Sequence, residues 1–118
     1  MLDFNDALDP ATTDPADSRE TMRTALLARL ESVLMIMFPA GKRRRGKFLV
    51  GDVMGSPGDS LEVVLEGEKA GLWTDRATGD GGDIFDLIAA WRGVNAHVDF
   101  HRVLQHAREL IGQSRARR

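Results

Sequence analysis

The sequence predicts an α+β domain in which three helices pack on one face of a three-stranded antiparallel meander. Two observations carry this. Between Phe48 and Trp73, short apolar segments alternate with dense Gly and Pro turn signals. On either side of them, apolar residues recur at the 3.6-residue helical period.

Residues 1–16 (MLDFNDALDPATTDPA) carry two prolines, little periodicity and a strong acidic bias, the composition of a mobile arm. Asp17 with Glu20 three residues later fits a capping box, so a first helix is expected from about Ser18 to Met37. Met22, Leu26, Leu27, Leu30, Val33, Leu34 and Met37 mark its apolar face, and Pro39 ends it. A basic loop, AGKRRRGK, follows. Phe48 to Val50 is then an apolar run stopped by Gly51, with Gly55-Ser56-Pro57-Gly58 as the turn after it. Ser60 to Leu65 places Leu61, Val63 and Leu65 on one side, Gly67 breaks it, and Gly71-Leu72-Trp73 begins the return strand.

Gly79, Gly81 and Gly82 interrupt the chain again, and Asp83 is placed to cap a helix. Its apolar positions are Ile84, Phe85, Leu87, Ile88 and Trp91, and Gly93 closes it. A last helix is expected from about Asp99 to Ile111, with Phe100, Val103, Leu104, Ala107, Leu110 and Ile111 on one side. Gly112 would stop it, leaving residues 113–118 as a basic tail. One domain, residues 17–112, accounts for the whole pattern.

Composition narrows the possibilities. A length of 118 residues suits one core, and 42% hydrophobic with 29% charged residues is ordinary for a globular chain. The longest apolar run, Val33 to Phe38, is far too short to cross a bilayer. An acidic N-terminus is neither a secretory signal nor a transit peptide, so the default expectation is a cytoplasmic protein without membrane contact. With no cysteine there are no disulfides, no thiol-ligated metals and no thiol nucleophile.

The net charge of −2 conceals a marked asymmetry. Residues 1–20 hold six acidic side chains and one basic, whereas residues 21–118 hold fifteen basic and twelve acidic. Five of the basic ones, Lys42, Arg43, Arg44, Arg45 and Lys47, fall within six positions. Clustered long cations of this kind suit phosphate contacts, which displace condensed counterions; the plainer reading is a solvated charge run.

The remaining constellations are weaker. Trp91 belongs to the apolar face of its helix, whereas alternation leaves the face of Trp73 open between core and a base-stacking surface. The TGDGGD stretch (Thr78 to Asp83) reads as a tight turn, since Asp80 and Asp83 occupy the place an anion would take at a helix start. Asp80, Asp83 and Asp86 recur every third residue, as Mg²⁺ ligands could, but helix capping explains the same pattern. His97, His101 and His106 lack the further ligands that a zinc site needs.

Three phrases, FPAGKRRRGKFLVGD, SLEVVLEGEKAGLWTD and ATGDGGDIFDLIAAW, resemble the N-terminal zinc-ribbon domain of bacterial and phage DNA primases. They are more similar still to its relatives in phage- and plasmid-borne primase–helicases. The likeness spans residues 38–93. Zinc-binding members carry a Cys-x-x-His or Cys-x-x-Cys pair before the middle strand and a Cys-x-x-Cys pair after the last one, and the matching positions here are Gly51 and Met54, then Asp75 and Thr78. The resemblance therefore implies a ribbon without zinc, held by the apolar faces of its helices.

It further implies a non-catalytic module of DNA replication that binds single-stranded DNA or assists a primase–helicase. Lys42, Arg43, Arg44, Arg45 and Lys47 are the expected contacts, with Trp73 and Arg76 as additions and no cofactor. The competing class is a protein-interaction module in which the acidic arm and the basic loop pair with a partner or between copies, or the arm occupies the loop as a DNA mimic.

Overall fold

The computed structural model describes residues 15–116, which form four helices and one five-stranded antiparallel sheet. The expected acidic arm up to residue 14 and the last two residues of the basic tail lie outside the described residues. In chain order the elements are α1 (Pro15–Ala28), α2 (Leu30–Met37), β1 (Lys42–Arg44), β2 (Lys47–Val50), β3 (Leu61–Val64), β4 (Trp73–Asp75), β5 (Gly81–Gly82), α3 (Ile84–Arg92) and α4 (Phe100–Ala116). The strands lie in sequence order, each antiparallel to the next, so the sheet is a simple meander.

The α+β class is as expected, with several corrections of detail. The first helix is two helices. At Arg29 the backbone leaves helical geometry and its N–H turns to the carbonyl of Leu26, a tightened last turn for α1. No Gly or Pro marks the break. Leu26 from one helix and Leu30, Val33 and Leu34 from the other are all buried in the core. Because α1 already includes Pro15, Asp17 lies within the helix and not at its start.

Gly112 does not end α4 either, which runs on to Ala116 through the expected tail. A helix-interior glycine costs about 1 kcal/mol. The burial of Leu110 and Ser114 on either side, with Ser114 Oγ donating to the Ile111 carbonyl, keeps that turn in place.

Helical packing on one sheet face makes the core. Phe48, Val50, Leu61, Val63 and Trp73 point to that face and meet Val33, Leu34 and Phe38 from the end of α2, Phe85, Leu87 and Ile88 from α3, and Val103 and Ala107 from α4. Trp73 also donates its ring N–H to the Asp83 carbonyl at 2.9 Å, which ties β4 to the start of α3.

Asp83 is the cap of α3. Its carboxylate accepts from the Asp86 N–H at 2.9 Å, while the Asp86 carboxylate accepts from the Asp83 N–H at 3.1 Å, a complete capping box. Burial opposes ionisation of Asp83, but the Asp86 hydrogen bonds and the Arg23 guanidinium outweigh it and hold its pKa below the ordinary 3.8. Asp86 moves the other way, raised by burial.

The signs give a testable pH dependence. Asp83 adds stability while ionised, fully present above the ordinary aspartate value and lost as pH falls through its lower folded value. Asp83→Ala should cost about 1 kcal/mol at neutral pH. The gap in melting temperature between variant and parent should narrow only on acidification below the ordinary carboxylate range.

Candidate nucleic-acid interface

The basic segment is a β-hairpin and not a loop. Lys42–Arg44 pairs with Lys47–Val50, joined by the two-residue turn Arg45-Gly46, and both turn residues have positive φ (53° and 77°). This is the turn whose twist matches two antiparallel strands, and glycine at its second position makes it affordable. Register sorts the cations by face. Lys42 pairs with Leu49, Arg43 with Phe48 and Arg44 with Lys47. Since paired residues share a face, Arg43 lies on the helix-covered side with Phe48, whereas Lys42, Arg44 and Lys47 lie on the opposite side.

Among the described residues that opposite side is largely open, with Leu49 buried on it. One cross-strand row runs Arg44, Lys47, Val64 and then Leu72 just ahead of β4; the next runs Lys42, Leu49, Glu62, Thr74 and Gly81. Leu72 is 44% exposed, and Thr74 is exposed beside it. Arg76 follows at the far corner, its backbone N–H bonded to the Ser60 carbonyl.

The cations differ in how far they are engaged. Arg43 is held between Glu31 on α2 (2.6 Å) and Glu66 (2.9 Å). Lys47 pairs with Glu62 at 2.9 Å. Arg76 donates to the Asp59 carbonyl at 2.7 Å and lies 3.7 and 3.9 Å from the carboxylates of Asp59 and Glu62. Lys42, Arg44 and Arg45 make no ion pair among the described residues, and all three are exposed. Surface pairs of this kind are worth only about 0–1 kcal/mol, so a phosphate can displace the carboxylate on Lys47 or Arg76. Arg43 faces away and is clamped twice.

Trp73, expected as a stacking contact, is 6% exposed and belongs to the core. The alternation that left its face open is settled by Val63, its cross-strand neighbour on the helix side. Trp91 is half-buried, with the Arg92 guanidinium 4.0 Å from its ring centre. Among the described residues, no aromatic ring stands on the open sheet face, so that face offers charges and a small apolar strip and no stacking platform.

The four positions that the resemblance would align with zinc ligands do not form a ligand set. Gly51 brings no donor, and a Cβ there would sit 2.6 Å from the carbonyl oxygens of Ser56 and Pro57. Met54 is 80% exposed. Asp75 is buried and accepts from the Ala77 N–H at 2.9 Å, while Thr78 Oγ1 accepts from the Asp80 N–H at 3.1 Å. Side-chain-to-backbone bonds close both turns instead. Asp52 does this for the first, accepting from the Met54 and Ser56 N–H groups at 3.0 and 3.1 Å. The Ser56 N–H leads in holding the Asp52 pKa below its ordinary value.

Between these turns lies a cleft of about 490 Å³ lined by Asp52, Trp73, Asp75, Asp80, Asp86 and His97 among others. Among the described residues, no group of three His, Asp or Glu side chains is arranged to hold a metal ion. His97 precedes α4, its N–H bonded to the Asn95 side chain, so it shares no helical face with His101. No helix among the described residues is long and apolar enough to cross a membrane. The chain matches no protein-family model, no curated protein and no solved structure.

Proposed function

We propose that the chain is a non-catalytic nucleic-acid-binding module of the DNA-replication type, akin to the primase zinc-ribbon domain in shape and without its zinc. It grips the phosphates of single-stranded DNA on the open sheet face, alone or beside a primase–helicase. The observation that carries this reading is the exposed trio Lys42, Arg44 and Arg45, without ionic partners among the described residues and aligned by one short hairpin. Lys47 and Arg76 join once phosphate replaces their carboxylate neighbours. Contacts of this sort position a backbone and read no bases.

Affinity should accordingly be modest and steeply salt-dependent. A labelled oligonucleotide followed by fluorescence anisotropy should bind with a dissociation constant of about 10⁻⁴–10⁻⁶ M near physiological salt. Three to five phosphate contacts on a single strand give a slope of roughly −2 to −3.5 for log K against log salt. With no aromatic platform on the face, sequence preference should be slight. Absence of binding at low salt would leave the second reading, a protein-interaction module, which the outer edge of β1, unpaired among the described residues, favours.

A further inference from the structure

The open sheet face is amphipathic as well as cationic. Leu72 and the half-buried Val64 form a short apolar strip beside Lys47 and Arg44, with Leu49 below Lys42 and Arg76 at the opposite corner. An occupant that satisfies this face must alternate acidic and apolar groups. A nucleic acid supplies the charge and leaves Leu72 uncovered.

The chain contains one segment with that pattern. Residues 2–9 read LDFNDALD, with Leu2, Phe4 and Leu8 interleaved with Asp3, Asp6 and Asp9, and residues 1–14 contain no Lys or Arg. Reach is sufficient. Leu27, in the last turn of α1, packs beside Gly71, the residue before Leu72. At 1.5 Å per residue, Pro15 lies about 18 Å back along the helix from Leu27. The chain from Phe4 to Pro15 can extend over roughly 36 Å.

We propose that residues 2–9 dock in cis on this face, their aspartates against Lys42, Arg44 and Lys47 and their apolar side chains on Leu72 and Val64. The segment then acts as an internal phosphate mimic that competes with nucleic acid. This takes the face named under the proposed function as the docking surface, yet the docking itself needs no DNA.

The test uses the full chain. Because it has no cysteine, Asn5→Cys accepts a single nitroxide label. At low salt the label should selectively broaden the amide signals of Lys42, Arg44, Val64 and Leu72. The broadening should vanish near 0.5 M salt and be unchanged by tenfold dilution of the protein. Broadening confined to the helical side, or spread evenly, overturns the docking, and broadening that fades on dilution overturns the cis arrangement.

Asp3→Asn/Asp6→Asn/Asp9→Asn in the full chain should tighten oligonucleotide binding by about tenfold at low salt. Selective broadening without DNA binding at any salt retains the docking and removes the nucleic-acid reading. DNA binding without broadening does the reverse.

Discussion

Phe48→Ala is expected to destabilise the domain by about 3–5 kcal/mol, the range for truncating a buried aromatic ring. Phe48 is fully buried at the second strand of the sheet, at the junction of sheet and helices. A domain of this size has only about 5–15 kcal/mol of net stability, so the variant should melt roughly 12–40 °C lower. Urea unfolding should show a lower midpoint with an unchanged slope. Val98→Ala, on a side chain 75% exposed, is the control and should stay within about 0.5 kcal/mol of the parent. A loss below about 1 kcal/mol at Phe48 would show that the sheet does not rest on this core.

The second large effect concerns binding. Replacing Lys42, Arg44 and Arg45 together by alanine removes three phosphate contacts, each worth about 1 kcal/mol at contact distance in water. Oligonucleotide affinity should fall about 100-fold at low salt, and the salt slope should flatten by about 2. Arg43→Ala separates face from mere charge. Its guanidinium is already clamped by Glu31 and Glu66 on the covered side, so its removal should change affinity less than about threefold. Equal losses from Arg43 and from Arg44 would sink the assignment of the open face and point to unspecific attraction by the whole cluster.

How far the chain could be read in advance depended on what kind of signal each element carries. The apolar faces of α2, α3 and α4 and the strands at Phe48 and Leu61 were legible because burial writes itself as periodicity. The cap at Asp83 was legible because capping demands a particular residue type at one position. The strand Lys42–Arg44 was not, since an exposed edge strand of cations has no apolar alternation to betray it. Its one sign was Arg45-Gly46, a two-residue spacer with glycine second, ahead of the apolar run. Gly81–Gly82 reads as turn alone because glycine has no side chain to report pairing, although both residues align with Thr74 and Trp73.

The break at Arg29 has no local cause. Neither a glycine, a proline nor a side-chain cap accompanies it, so a window of sequence carries no sign of it. The candidate site divides along the same line: the cluster of cations is visible in the sequence, but which of them share a face depends on the register of a hairpin that the apolar pattern does not mark. Trp73 shows the limit most clearly, because a three-residue strand alternates too briefly to say which side is in.

The contact between Gly51 and the carbonyls of Ser56 and Pro57 bears on how such a scaffold could change. Grafting cysteines onto positions 51, 54, 75 and 78 one after another begins with an uphill move, because even the first carbon of the new side chain has no room. Redesign toward a tetrathiolate must first lengthen or reshape residues 55–58 and only then add sulfur. The order of steps is set by backbone sterics, and no single substitution at position 51 fits the loop as it stands.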